Sequence, residues 1–333
     1  MNFAFAGTPE FAAWVLRDLV SLGRRPSLVV SQPDRPRGRG RKASPPPAAA
    51  EAEGLGIECL QTDDINSARV LDHLRSRGLS TLVIAAFGQI LRKPLLDSVL
   101  CLNIHASLLP AYRGAAPIER VLAAGEACSG VSIMRVTEGL DQGPWAWQKS
   151  VTLGLHDDAG AVGRIFAMMG AVGVDQVMRG LGDGTVKWTA QEGMSVYAEK
   201  LCAVDCALNV AVGAKAAHDQ VRSLSPHVGA RAASGGVGFK VWRTWPFGEA
   251  DLDSAPGGAE RVAGSAGSLA VVQNRLFVGC ARGVLEILAV QPAGKGRMTA
   301  AAFLRGYGGR LGARLESNDL PSECRSLEED PHS

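Results

Sequence analysis

Through residues 2–136 short apolar runs alternate with stretches of helical period, and that alternation restricts the fold more than any other feature. Apolar runs at 2–6, 27–31, 57–60, 80–86, 99–104 and 130–136 read as strands, and amphipathic patterns at 10–22, 66–77 and 117–124 as helices. Strands joined through helices pair in parallel by right-handed crossovers, so this half predicts an α/β fold with a Rossmann-like, mainly parallel sheet. Such sheets take ligands outside the carboxyl ends of their strands. A helix over 159–182 closes the unit. Beyond a linker with a short helix at 195–201, short Val/Gly-rich runs at 235–245, 258–263, 268–272, 276–279 and 284–290 predict a small all-β barrel. A chain of 333 residues exceeds the usual single-domain size. The expected plan is a domain over 1–188, a linker over 189–205, a second domain over 206–312 and a polar, disordered tail over 313–333.

Within that frame the run Cys101-Leu-Asn-Ile-His-Ala-Ser-Leu-Leu-Pro110 carries the strongest chemical signal. Alternate strand residues share a face, so Asn103 and His105 aim an amide and an imidazole at one point while Leu102 and Ile104 are free to be buried. Two hydrogen-bonding groups at a strand exit can polarise a carbonyl, although an isolated Asn-x-His satisfies loop backbone just as well. Asp141, in Thr137-Glu-Gly-Leu-Asp-Gln-Gly143 after the last strand of this half, can orient a neighbouring histidine. Alone it is an ordinary turn aspartate.

Other classes fall away. Gly7-Thr8-Pro9 stands where a phosphate loop would, but neither Gly-x-Gly-x-x-Gly nor Gly-Lys-Ser/Thr is present, which disfavours a dinucleotide or nucleoside triphosphate. The 7 cysteines are scattered without a Cys-x-x-Cys pair, so buried reduced thiols are expected rather than a metal site. The N-terminus has no basic region of a signal peptide, and no apolar run is read as membrane-spanning, which implies a cytoplasmic protein. A net charge of +2 is too small for a general nucleic-acid binder. Basic charge is instead concentrated in Pro33-Asp-Arg-Pro-Arg-Gly-Arg-Gly-Arg-Lys42, where Arg37, Arg39, Arg41 and Lys42 on a glycine-rich loop could contact successive phosphates. A solvated surface loop is the competing reading.

Together these segments resemble the methionyl-tRNA formyltransferase family. Phe5-Ala-Gly-Thr-Pro-Glu-Phe-Ala12 is similar to its opening strand and turn, Ser31-Gln-Pro-Asp-Arg-Pro36 to the start of its basic insertion, and Leu288-Ala-Val-Gln-Pro-Ala-Gly-Lys295 to the end of its C-terminal barrel. Asn103-Ile-His-Ala-Ser-Leu-Leu-Pro-Ala-Tyr-Arg-Gly-Ala-Ala-Pro-Ile118, with Gly139-Leu-Asp141, resembles the signature of enzymes that use 10-formyltetrahydrofolate. The pattern departs from the family's at Gln142 and Pro144.

The resemblance implies a formyltransferase domain followed by an OB-like barrel. It also implies formyl transfer from 10-formyltetrahydrofolate to the amino group of initiator methionyl-tRNA. Asn103, His105 and Asp141 would be catalytic. Phe87, Gly88, Ile90, Ser107, Leu108, Leu109 and Pro110 would hold the folate, and Arg37, Arg39, Arg41, Lys42, Lys295 and Arg297 the tRNA. No metal is called for, because neither reactant has to be generated as a strong nucleophile, and a monomer is expected. The rival enzymes are a sugar-nucleotide formyltransferase and a formyltetrahydrofolate hydrolase. A tRNA-binding protein without chemistry is the rival of another class, but it has no use for the three catalytic positions together.

Overall fold

The computed structural model describes residues 2–37 and 42–316, which divide into two bodies. The first comprises the chain up to Pro117, Cys128–Thr152 and Val162–Ala198; the second takes Ile118–Ala127, Leu153–Ala161 and the chain from Glu199 onward. The first body therefore continues ten residues past the expected boundary at 188 and absorbs most of the expected linker.

In chain order the elements up to Ala198 are β1 (Ala4–Gly7), α1 (Glu10–Ser21), β2 (Leu28–Ser31), β3 (Arg35–Arg37), β4 (Lys42–Ser44), α2 (Pro47–Gly54), β5 (Cys59–Gln61), α3 (Ala68–Ser76), β6 (Thr81–Ala85), α4 (Lys93–Leu96), β7 (Leu100–His105), β8 (Arg113–Gly114), α5 (Pro117–Ala123), β9 (Cys128–Arg135), β10 (Trp145–Thr152), α6 (Ala159–Gly182) and β11 (Tyr197–Ala198). The main sheet runs β10-β9-β7-β6-β1-β2-β5. Its strands from β7 to β5 are parallel, and β9 and β10 continue it antiparallel. The chain leaves β1 toward β2 and later returns to its other side as β6, so the topology switches at β1 and opens a crevice at the carboxyl ends. There Gly7 is held by packing: a Cβ on it would lie 2.5 Å from Ala12 Cβ and 2.8 Å from Phe5 Cε1. The glycine lets α1 sit close on its own strand.

Helix α6 is long and apolar enough to cross a membrane by length and composition, contrary to the sequence expectation, yet 56% of that stretch is buried in the protein. A Cβ on Gly170 would lie 2.5 Å from Ile104 Cγ2, and one on Gly173 would lie 2.5 Å from Trp147 Cε3 and 2.8 Å from Ile133 Cγ1. Its backbone thus rests directly on β7, β9 and β10, which accounts for its apolar character as a core helix.

The structure adds elements that periodicity missed. Strand β10 is a half-exposed edge whose sequence, Trp-Ala-Trp-Gln-Lys-Ser-Val-Thr, has no clean apolar alternation. The arms of the basic segment pair as the hairpin β3–β4, Arg35 opposite Ser44 and Arg37 opposite Lys42. Its continuation is helix α2, with Pro47 at the first helical position, where a missing N–H costs nothing. Arg39 and Arg41 lie outside the described residues, as do the side chains of Arg37 and Lys42. The helix expected at 195–201 is replaced by β11, which pairs in parallel with β8.

The second body adds α7 (Ala214–Leu224), β12 (Ala230–Ser234), β13 (Val237–Phe247), β14 (Leu269–Val272), β15 (Arg275–Gly279), β16 (Val284–Pro292), β17 (Met298–Thr299) and α8 (Ala300–Tyr307). Its antiparallel sheet runs β12-β13-β16-β15-β14, with β17 on β16. The expected strand at 235–245 begins two residues late because Gly235 and Gly236, at φ 57° and 72°, form the turn of a hairpin. The expected strand at 258–263 is a 3₁₀ turn over Ala259–Val262. Helices α7 and α8 depart from the all-β expectation. Ala217, Val221, Leu224, Phe303 and Leu304 seal the core under the sheet.

Residues 313–316, expected in a disordered tail, instead close the fold. Leu269 N–H donates to Ala313 O at 2.8 Å, Leu315 N–H to Gly267 O at 2.7 Å and Glu316 N–H to Ala233 O at 2.8 Å, joining the β14 end of the sheet to β12. Cys59, Cys101, Cys128, Cys206 and Cys280 are free thiols, but Cys202 is disulfide-bonded, which corrects the expectation of uniformly reduced cysteines.

His218 on α7 is buried, with Nε2 donating to Leu155 O at 2.8 Å and Nδ1 therefore accepting from Thr244 Oγ1 at 2.9 Å. Burial is the main cause that holds its pKa below the ordinary value; the Leu155 carbonyl and Asp219 oppose it, and Arg222 and Lys215 reinforce it. The unfolded histidine binds a proton below about pH 6.5 and the folded one does not until lower pH. Stability is therefore full above that value and falls as pH drops through the lowered pKa. Urea unfolding between pH 7.5 and 5.5 should show this loss, and His218→Gln should flatten it; an identical slope in the variant would remove His218 as the source.

Candidate active site

Strand β7 ends at His105, and its residues alternate as predicted: Leu102 and Ile104 are buried against the core while Asn103 and His105 share the other face. Cys101 shares that face, but burial pushes its thiol up to about 12, so it offers no nucleophile. The segment after β7 turns back beneath His105. The ring's Nε2 donates to Tyr112 O at 2.8 Å, which fixes its orientation and leaves Nδ1 facing Asp141 Oδ2 at 3.6 Å. With Nε2 committed to a carbonyl, only the doubly protonated ring presents a donor at Nδ1.

Asp141 reaches the cluster from the turn between β9 and β10. Its backbone is left-handed at φ 49°, a conformation that a short polar side chain tolerates better than most. Oδ2 accepts the Gly114 N–H at 3.0 Å, and Oδ1 faces Asn103 Nδ2 at 3.3 Å. The amide, the imidazole and the carboxylate predicted from separate segments thus meet at one point. Gln142, the departure from the family pattern, is exposed and lies over Gly139, with Oε1 2.6 Å from where a Cβ on that glycine would be. It leaves the carboxylate's own hydrogen bonds intact.

Ser132, paired with His105 across the ladder, was not singled out by the sequence. Its hydroxyl donates to Ser107 O at 2.7 Å and accepts from Leu109 N–H at 3.1 Å, while Gln148 Nε2 donates to Leu109 O at 2.8 Å. The turn Ser107–Pro110 is thereby fastened to β9 and β10. Gln191 was missed as well. It lies 50 residues from Asp141, in a stretch read as linker, with no local motif to mark it.

The residues expected to hold folate divide by exposure. Phe87 is a core side chain whose carbonyl accepts from Thr8 Oγ1 at 3.0 Å and Gln32 Nε2 at 2.8 Å. Ser107 and Leu109 are buried too, and Ser107 Oγ donates to Ala111 O at 2.6 Å. These three shape the loops, whereas Gly88 and Ile90 are exposed, Ile90 at 75%, and Leu108 and Pro110 are half-buried. In the second body Lys295 is exposed, and Arg297 stacks at 3.5 Å on Trp242 while donating to the Pro226 carbonyl.

Comparison with known proteins bears on the family and the fold. Residues 1–176 match the formyl transferase family model, and residues 200–308 match that of the formyl transferase C-terminal domain. Methionyl-tRNA formyltransferase of Rubrobacter xylanophilus is 43% identical over 310 residues, 92% of this chain and 97% of its own length. That of Acidithiobacillus ferrooxidans is 36% identical over 317 residues, 94% and 98% of the two chains. Among solved structures, the N-formyltransferase of Helicobacter canadensis, in complex with folinic acid and dTDP-3-aminofucose, superposes with a TM-score of 0.61 at 14% identity, covering 88% of this chain and 99% of its own. HypX of Aquifex aeolicus, in complex with tetrahydrofolic acid, gives 0.62 at 14% identity over 91% of this chain and 47% of its own. Those two likenesses establish the fold. The full-length sequence matches, the two family models and a strand-end amide, imidazole and carboxylate in mutual contact lead to one conclusion: this chain belongs to the methionyl-tRNA formyltransferase family.

Proposed function

We infer that this enzyme transfers the formyl group of 10-formyltetrahydrofolate to the free amino group of initiator methionyl-tRNA. The observation that carries the reading is the convergence of Asn103, His105 and Asp141 at the carboxyl end of β7, beside the topological switch. Attack of the amine on the formyl carbon places negative charge on the formyl oxygen. Asn103 Nδ2 and the protonated Nδ1 edge of His105 stabilise that charge by donating to it. Asp141 orients the imidazole and relays the proton lost by the attacking amine toward the departing folate nitrogen, directly or through water. The balance is one N–H exchanged between the two nitrogens as one C–N bond forms and another breaks.

The accessible positions Gly88, Ile90, Leu108 and Pro110 lie on the loops after the adjacent strands β6 and β7. They suit a flat heterocycle whose reactive end reaches Asn103. Arg37, Arg39, Arg41 and Lys42 supply the charge to contact tRNA phosphates, and Lys295 and Arg297 add basic charge on the C-terminal body. A monomer acting in the cytoplasm completes the reading. The sugar-nucleotide and hydrolase alternatives are not favoured, since the relatives matched over nearly their full length are methionyl-tRNA formyltransferases.

The test is formylation of charged initiator and elongator methionyl-tRNA by purified protein with 10-formyltetrahydrofolate. Transfer to the initiator species is expected. Activity only on a nucleotide sugar, or only on water, would sink the reading. In the same assay Arg39→Ala with Arg41→Ala should raise KM for tRNA and reduce its salt dependence, by up to about one unit of log–log slope for each phosphate that is no longer neutralised. An unchanged salt slope would reduce the loop to a solvated surface feature.

A further inference from the structure

Gln191 spends its whole side-chain amide on the loops of the catalytic cluster. Nε2 donates to Asp141 O at 2.8 Å and to Gly143 O at 2.7 Å. Oε1 accepts from Arg113 Nε at 2.9 Å and Nη2 at 2.7 Å. The chemistry fixes the direction of every bond: a guanidinium only donates and a carbonyl only accepts, so no other side chain of this length serves both arms. Six residues on, Tyr197 and Ala198 pair with Arg113 and Gly114, and Ala198 O accepts from Ala115 N–H at 2.8 Å. The stretch from Gln191 to Ala198 therefore straps together the two loops that finish the site. One carries Asp141. The other carries Tyr112 O, which orients His105, and Gly114 N–H, which holds the Asp141 carboxylate.

We propose that Gln191 is a positioning residue for formyl transfer, which couples the Arg113 loop to the Asp141 turn and so holds the carboxylate against His105 and Asn103. The proposal rests on the formyltransferase reading and deepens it. The Asp141 carboxylate is largely buried, but its backbone is left-handed and its neighbours Leu140 and Gln142 are exposed. With the amide removed, the turn keeps the Gly114 hydrogen bond but loses the two bonds that Nε2 gives to the Asp141 and Gly143 carbonyls. Displacement on the order of 1 Å at a reacting group lowers turnover steeply.

The experiment compares wild type, Gln191→Leu, Gln191→Glu and Gln191→Leu combined with Asp141→Asn, by steady-state formylation of methionyl-tRNA and by thermal unfolding. Gln191→Leu should lower kcat about 10- to 100-fold with KM for tRNA within about twofold. Gln191→Glu should not rescue, because its second oxygen would face two carbonyls while its first still serves Arg113. In the Asp141→Asn background, single-turnover measurement should find that Gln191→Leu costs no more than about threefold further, since both changes act on one group. Gln191→Asn, with the same amide on a stem one methylene shorter, replaces the leucine variant if that one does not fold. Turnover within twofold of wild type, rescue by glutamate or a fully multiplicative loss in the double variant would each overturn the proposal. If the wild-type protein itself does not formylate methionyl-tRNA, the functional reading fails instead, so the two failures are distinct.

Discussion

Asn103→Leu should lower kcat about 100- to 1,000-fold, equivalent to about 3–4 kcal/mol of barrier, with little change in KM for either substrate. The amide has a nearly isosteric apolar replacement, so packing is kept while the donor is removed. In the free enzyme Asn103 Nδ2 makes only a long 3.3 Å contact with Asp141. The bond that matters forms when the formyl oxygen becomes anionic, and an interaction made only in the transition state appears in kcat. Asp141 itself should stay in place, since Gly114 N–H and Gln191 hold it independently of Asn103. Steady-state kinetics on methionyl-tRNA settles the matter: a raised KM with unchanged kcat would assign Asn103 to ground-state binding and remove it from the oxyanion site.

Gly143→Ala should damage both stability and turnover. A Cβ at this position would lie 1.8 Å from Arg135 O, a backbone atom in the β9 ladder that no rotamer change can move. The turn must shift, at a cost of about 1–3 kcal/mol for overpacking of this kind. It carries Asp141 with it, so turnover should fall on the order of 100-fold. Gly139→Ala is the internal control, because the atoms crowding that site belong to the exposed side chain of Gln142. Thermal unfolding and kcat of the two variants should therefore diverge. If Gly143→Ala matches wild type in both, the turn is not held against β9 as described.

How far the sequence reached depended on how local each signal was. The parallel strands of the main sheet and helix α6 were legible because their apolar periodicity lies within single segments. Asn103 and His105 were legible for the same reason: two residues of one strand must share a face wherever that strand goes. Strand β10, the helix α2 that follows the basic hairpin and helices α7 and α8 were not. The edge position of β10 and the alanine-rich face of α2 carry weak periodicity, and their stability comes from neighbours distant in sequence. Residues 313–316 looked like a polar tail for a related reason: main-chain hydrogen bonds to Gly267, Leu269 and Ala233 require no particular side chain.

Sequence alone thus determined which chemical groups this protein presents: an amide and an imidazole aimed together, a carboxylate on a glycine-bounded turn and a run of basic residues. Only the tertiary structure decided how they work as a unit. It committed His105 Nε2 to the Tyr112 carbonyl, turned Nδ1 to Asp141 and placed Gln191 of the supposed linker beneath the catalytic turn. The reason is physical. Residue type and strand period are properties of a segment, whereas hydrogen-bond partnership between positions 113, 141 and 191 exists only after the sheet and its returning strap have brought them together.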